Sequence, residues 1–127
     1  MPSLHALSYL DVEQMVREKT GKDLILAQVE KNNAYFTFDE ILYLQERKLP
    51  NELVDYLLRY HLSLIPDIDI ELLIKMKSVP LSDEIIEMLV NRYGVTFLPI
   101  TPDEVSQLKD AKINDKLIEM LIRSSKN

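Results

Sequence analysis

Leu53-Val54-Asp55-Tyr56-Leu57-Leu58 returns as Ile85-Ile86-Glu87-Met88-Leu89-Val90, and again as Leu117-Ile118-Glu119-Met120-Leu121-Ile122. Each step is 32 residues, with no gap. A fixed period of this size marks a supersecondary unit that buries its apolar face against copies of itself. The chain therefore reads as an all-α, solenoid-like protein of three stacked helical hairpins, residues 37–68, 69–100 and 101–127.

Within each unit the spacing predicts two helices. The first would cover Phe38–Arg47, Ile70–Lys77 and Pro102–Lys109. Ile41 with Leu44, Leu73 with Met76, and Val105 with Leu108 lie three apart, on one helical face. Thr37, Asp69 and Thr101 share one repeat position, and each side chain can accept from backbone N–H groups left open at a helix start. Thr37 with Glu40, and Thr101 with Glu104, have capping-box spacing, whereas the middle unit has Leu72 where the box wants Glu. The second helices would cover Asn51–Tyr60, Asp83–Tyr93 and Asp115–Arg123. Ser82 and Asn114 can cap two of them, Pro50 cannot, and Gly94 supplies a left-handed stop.

Residues 1–36 form either an amino-terminal helical cap or a degenerate fourth repeat at an offset of 29. On the second reading Ser8 matches Thr37, Val12 matches Ile41, Met15 matches Leu44, and Leu24-Ile25 match Leu53-Val54. On the first, Gly21 ends the helix that begins near Ser8, and Leu24–Val29 is a short strand. The connectors 61–68 and 94–100 carry Leu62, Leu64, Ile65, Val95, Phe97 and Leu98 rather than Gly and Ser. They are expected to pack extended against the helices, giving a single domain over 1–127.

Composition excludes several classes. An apolar share of 46% with 28% charged residues is that of a packed protein, not a disordered one. The absence of cysteine rules out disulfides and thiolate chemistry. Residues 1–10 hold no Lys or Arg for a signal peptide, and no run approaches the roughly 20 apolar residues of a membrane span. No membrane partner and a cytoplasmic location are expected. The net charge of −6 supplies no basic face to replace phosphate counterions, so nucleic acid is not the expected partner. The second helices would offer Asn51, Glu52, Asp55 and Arg59, then Asp83, Glu84, Glu87 and Asn91, mostly acids that repel phosphate.

The repeat also separates structure from function. Residues present in every unit serve the hairpin, and residues that differ are free for other work. Six of the nine aromatic residues lie between 35 and 60 and fail to recur. Tyr43 corresponds to Lys75 and Gln107, and Tyr56 to Met88 and Met120, as an ordinary core position would. Tyr35, Phe36, Tyr43 and Tyr60 are therefore the candidate partner-binding residues, since aromatic rings dominate interface energetics. The competing reading is that these rings close the core where the atypical amino-terminal segment docks.

No chemistry-bearing motif accompanies them. Asp67, Asp69 and Glu71 lack the glycine and late glutamate of a calcium loop, and Asp69 is already placed as a cap. His5 and His61 stand alone, with no nucleophile arrangement, Gly-rich phosphate loop or paired-histidine metal motif. No catalytic activity, metal or cofactor is expected.

Two likenesses can be stated on particular residues. Thr37–Leu58 and Thr101–Ile122 resemble short helical-hairpin repeats of uncharacterised bacterial proteins, a likeness that implies no activity. Lys48–Tyr60 is similar to a stretch in the helicase-loading domains of bacterial primosome proteins, but the Tyr-Ile-x-Lys-Ile and tryptophan that follow there are missing. The expected function is a non-catalytic protein–protein interaction or adaptor module, with self-association open. The alternative is an accessory factor of nucleic-acid transactions in replication or transcription, or an acidic nucleic-acid mimic.

Overall fold

The structure, a computed structural model, describes residues 6–125. It is mostly helical, with eight helices and two short strands among the described residues. In chain order these are α1 (Tyr9–Arg17), α2 (Lys22–Lys31), β1 (Phe36–Thr37), α3 (Phe38–Glu46), α4 (Asn51–Tyr60) and β2 (Leu62–Leu64). There follow α5 (Ile70–Ser78), α6 (Asp83–Tyr93), α7 (Pro102–Asp110) and α8 (Asp115–Ser124). The chain divides into two compact units, Met1–Pro66 and Asp67–Asn127. The first holds α1 to α4 with both strands, and the second holds α5 to α8.

Helix starts follow the capping chemistry of the sequence. Thr37 accepts from Glu40 N–H at 3.1 Å while Glu40 accepts from Thr37 N–H at 2.9 Å, and Thr101 with Glu104 makes the same reciprocal pair. Asp69 accepts from Leu72 N–H at 2.7 Å without a reciprocal bond, because Leu72 has no acceptor to return. Ser82 and Asn114 cap α6 and α8, whereas Pro50 makes no side-chain cap to α4. Ser8 forms a box with Asp11, whose shorter side chain still reaches back to Ser8 N–H at 2.8 Å.

The first helix of each pair ends in one way. Past α1, α3 and α7 the chain turns through Lys19, Lys48 and Lys112, with φ of 60, 74 and 67°. The next residue then donates five positions back: Thr20 to Met15, Leu49 to Leu44, and Ile113 to Leu108, at 2.9 to 3.0 Å. The lysine N–H groups donate three back, to Val16, Gln45 and Lys109. Together these bonds satisfy carbonyls that a helix end leaves open. Pro80 stands at this position after α5, with no N–H to give, yet Leu81 still donates to Met76 at 2.8 Å. Leu49, Leu81 and Ile113 are all buried, so these three turns drive an apolar side chain inward as they reverse the chain, while Thr20 after α1 is half-buried.

Residues 24–29 lie inside α2, so the strand alternative does not hold. Gly21 does not stop the first helix either. α1 ends earlier, at Arg17, and Gly21 is the residue that caps the start of α2, with φ −63° and ψ 151°. α1 and α2 thus begin 29 residues before α3 and α4. Gly94 follows α6 at φ 75° and ψ 177°, a positive-φ but extended conformation rather than a helical left-handed one.

Unit one adds a feature that helical periodicity does not announce. β1 and β2 pair in parallel, Phe36 with Leu62 and Thr37 with Leu64, with an irregular step between. α3 and α4 form the crossover that a parallel pair requires. The connector after α4 is extended, as expected, and the stretch before α3 is its strand partner. Side chains join equivalent helices inside each unit. Lys22 meets Glu52 at 2.8 Å between α2 and α4. In unit two, Asp83 accepts from Asn114 at 3.4 Å and Glu87 lies 3.7 Å from Lys116, between α6 and α8. Lys77 donates to the same Asp83 at 2.9 Å, and these two hydrogen bonds hold its carboxyl below the usual carboxylate range.

A non-glycine residue in the left-handed region costs on the order of 1 kcal/mol, which glycine avoids. Lys48→Gly and Lys112→Gly, at exposed turn positions, should each raise stability by roughly 0.5–1 kcal/mol in urea unfolding. Lys75→Gly, inside α5, should lower it by about 1 kcal/mol. Equal losses at all three positions would show that the turns carry no such cost. Asp83→Asn should flatten the acid limb of the stability–pH curve. A depressed carboxyl contributes above its unfolded pKa and loses that contribution as pH falls through the folded one.

Candidate functional site

The four tyrosine and phenylalanine candidates do not form one surface. Phe36 is 1% exposed, on β1, where its N–H donates to His61 O at 2.8 Å. It is removed from the candidate surface, because the strand pairing that fixes its backbone also turns its ring inward. Tyr43 is half-buried between α3 and α1. Its hydroxyl donates to Glu13 Oε1 at 2.9 Å, its ring meets Tyr9 edge-on at 5.1 Å, and the Arg47 guanidinium lies 3.5 Å from the ring centre. Arg47 in turn lies 3.4 Å from Glu13. Tyr43 therefore ties the amino-terminal helix to α3, as the docking reading of these aromatics requires.

Tyr35 and Tyr60 remain, 52% and 59% exposed. Two residues that sequence reasoning set aside bring them together. Tyr56 is half-buried, not the core residue its Met88 and Met120 counterparts imply, and those methionines are half-buried too. Its ring lies 4.8 Å from Tyr60 and 5.7 Å from His61, and the His61 ring lies 5.4 Å from Tyr35. The four rings form a continuous cluster at the carboxy-terminal end of α4.

His61 is the hinge of this cluster. It is buried, and its Nδ1 lies 2.8 Å from Ala34 O. A carbonyl can only accept, so Nδ1 carries the proton in this contact. Its backbone N–H closes α4 on Leu57 and its carbonyl accepts from Phe36. One residue thus ends a helix, starts a strand and fixes the chain leaving α2. Tyr56 is anchored separately, by donating to Glu30 Oε2 at 2.7 Å. The sequence signal for this arrangement was Tyr56, Tyr60 and His61 together at a helix end, one helical turn plus one residue.

Asp67, Asp69 and Glu71 are exposed, and Asp69 is occupied as the α5 cap. Among the described residues no group of three or more His, Asp or Glu converges in a way that could hold a metal ion. His5 lies outside the described residues. No described helix is long and apolar enough to cross a membrane. Comparison with protein-family models, curated proteins and solved structures returns no match.

The hydroxyls of Tyr43 and Tyr56 are each held above the usual tyrosine value, first by hydrogen bonding to Glu13 and Glu30 and then by burial. A raised value contributes stability that is complete below the unfolded pKa, about 10, and lost as pH climbs through the folded one. Tyr43→Phe should lower the thermal midpoint by roughly a few degrees at neutral pH, the scale of one hydrogen bond. It should also make the alkaline decline above about pH 10 shallower. An unchanged midpoint and an unchanged alkaline limb would show that the Tyr43–Glu13 contact does not hold α1.

Proposed function

We propose that the chain is a non-catalytic protein–protein interaction module built from helical-hairpin repeats, and that it engages its partner through Tyr35 and Tyr60. The supporting observation is the ring cluster. Two large tyrosine rings are more than half exposed, while Tyr56 and His61 behind them are anchored to Glu30 and Ala34. Rings held in place lose little freedom on binding, and interfaces concentrate their energy in such residues. Leu64, on β2 of the same unit, adds an apolar side chain 65% exposed.

The repeat reading is supported by equal helix starts, by four turns that close with the same five-back bond, and by side-chain pairs between equivalent helices. The exposed acids Glu52, Glu84 and Glu119 on the second helices weigh against duplex nucleic acid as the ligand.

Affinity capture from the native host should return a specific protein with the wild-type chain. Its yield should fall by about tenfold or more with Tyr35→Ala plus Tyr60→Ala, the scale of one interface hot spot. Circular dichroism should stay unchanged, since neither side chain fills the core. Undiminished capture by the double variant would refute the tyrosine surface. Tight, steeply salt-dependent gel shifts would favour the nucleic-acid role instead.

A further inference from the structure

Two tyrosines of unit one are anchored alike. Tyr43 on α3 donates to Glu13 of α1 at 2.9 Å, and Tyr56 on α4 donates to Glu30 of α2 at 2.7 Å. On each, the residue four positions on, one helical turn later, lies against the tyrosine ring. There the likeness ends. Above Tyr43 that residue is Arg47, its guanidinium 3.5 Å from the ring centre and its Nε 3.4 Å from the Glu13 carboxylate. Beside Tyr56 it is Tyr60, with the ring centres 4.8 Å apart. The first anchor is a closed triad of ring, carboxylate and guanidinium, and the second has rings and a carboxylate alone.

Glu30 is exposed, accepts from Tyr56, and pairs with no cation among the described residues. Lys31 follows it directly, but adjacent residues of a helix do not face each other. The two hydroxyls register the difference. Hydrogen bonding to Glu13 and then burial raise the Tyr43 hydroxyl, and Arg47 draws it back down. On Tyr56 the hydrogen bond to Glu30, burial, and the charges of Glu30 and Tyr60 all act upward.

We propose that the partner supplies the missing cation, an arginine whose guanidinium stacks on the exposed Tyr60 ring and pairs with Glu30. The proposal rests on the tyrosine surface as the partner's seat and names what sits there. Arginine suits it better than lysine, because a planar guanidinium can lie on a ring and bond a carboxylate at once. Arg47 does both inside this chain. An exposed ion pair alone is weak, and the attraction of a cation to a ring face adds to it, so acid and ring act together.

A random peptide library displayed on phage and panned against the full chain supplies the probe. The selected peptides should share an arginine. In a synthesised peptide, replacing that arginine by citrulline, its neutral isostere, should weaken binding about tenfold, and Glu30→Gln in the chain should weaken it about as much. The two changes together should cost little more than either alone, because they remove one contact. Peptides indifferent to Tyr35→Ala plus Tyr60→Ala overturn the tyrosine surface itself. Peptides that need both tyrosines but hold no arginine, or whose arginine is indifferent to Glu30→Gln, overturn the missing cation and leave the surface standing. A second measurement needs no peptide. Tyr60→Arg places a guanidinium where Arg47 stands on Tyr43, and at low salt it should raise the folded-to-unfolded ratio about twofold over Tyr60→Gln. Glu30→Gln should erase that gain. No gain, or one that survives Glu30→Gln, shows that Tyr56 and Glu30 do not form a seat for a guanidinium and overturns the proposal.

Discussion

A helix that ends inside a small protein leaves carbonyl groups without partners, and every pair of helices in this chain answers that demand with one turn. In each, a residue past the helix end donates to the carbonyl five positions back, after a single left-handed lysine in three pairs and after Pro80 in the fourth. The same turn points an apolar side chain at the core after α3, α5 and α7, as Leu49, Leu81 and Ile113, and it closes α2 as well, with Ala34. Backbone satisfaction and apolar burial are therefore one event, and the direction of the second helix is set by it. The chain tolerates three lysines and one proline at the pivot because the pivot side chain faces water. What matters is the backbone bond and the residue that follows.

Unit one departs from this plan at its far end, and the departure is where a surface arises. His61 closes α4, and its carbonyl pairs with Phe36, so the chain continues as a strand. That strand needs a neighbour, and the segment after α2 supplies it. Tyr35 and Tyr60 flank the junction and face outward over Tyr56 and His61. After α6 the counterpart is a single backbone bond, Thr96 N–H to Ile68 O, 32 residues on from Leu64 and Phe36, and Tyr93 stands at the repeat position of His61.

Much of the helical layout was legible because it depends on neighbours in sequence. Capping residues such as Thr37 and Thr101 act over three positions, and apolar spacing identifies which face turns inward. The turn at Lys19 was not legible in the same way, because lysine carries no left-handed preference and the bond that selects it is visible only in three dimensions. Gly21 looked like a stop for the complementary reason. The parallel strand pair was hidden because β1 and β2 are two and three residues long and lie 26 apart. Of the candidate surface, Tyr35 and Tyr60 were found by their failure to recur. Phe36 and Tyr43 fail to recur too, but for packing reasons, and sequence comparison within one chain does not distinguish an unrepeated core contact from an unrepeated surface. His61 was passed over because its role lies in a hydrogen bond to a backbone 27 residues away.

The claim on which the rest stands is that one backbone turn, repeated, organises the chain. Hydrogen exchange of single amides tests it most directly. The account predicts that the N–H groups of Thr20, Leu49, Leu81 and Ile113 exchange as slowly as mid-helix amides of their own units, although each lies outside a helix. Exchange of these four at the rate of an unstructured peptide, with the helices still protected, would contradict it.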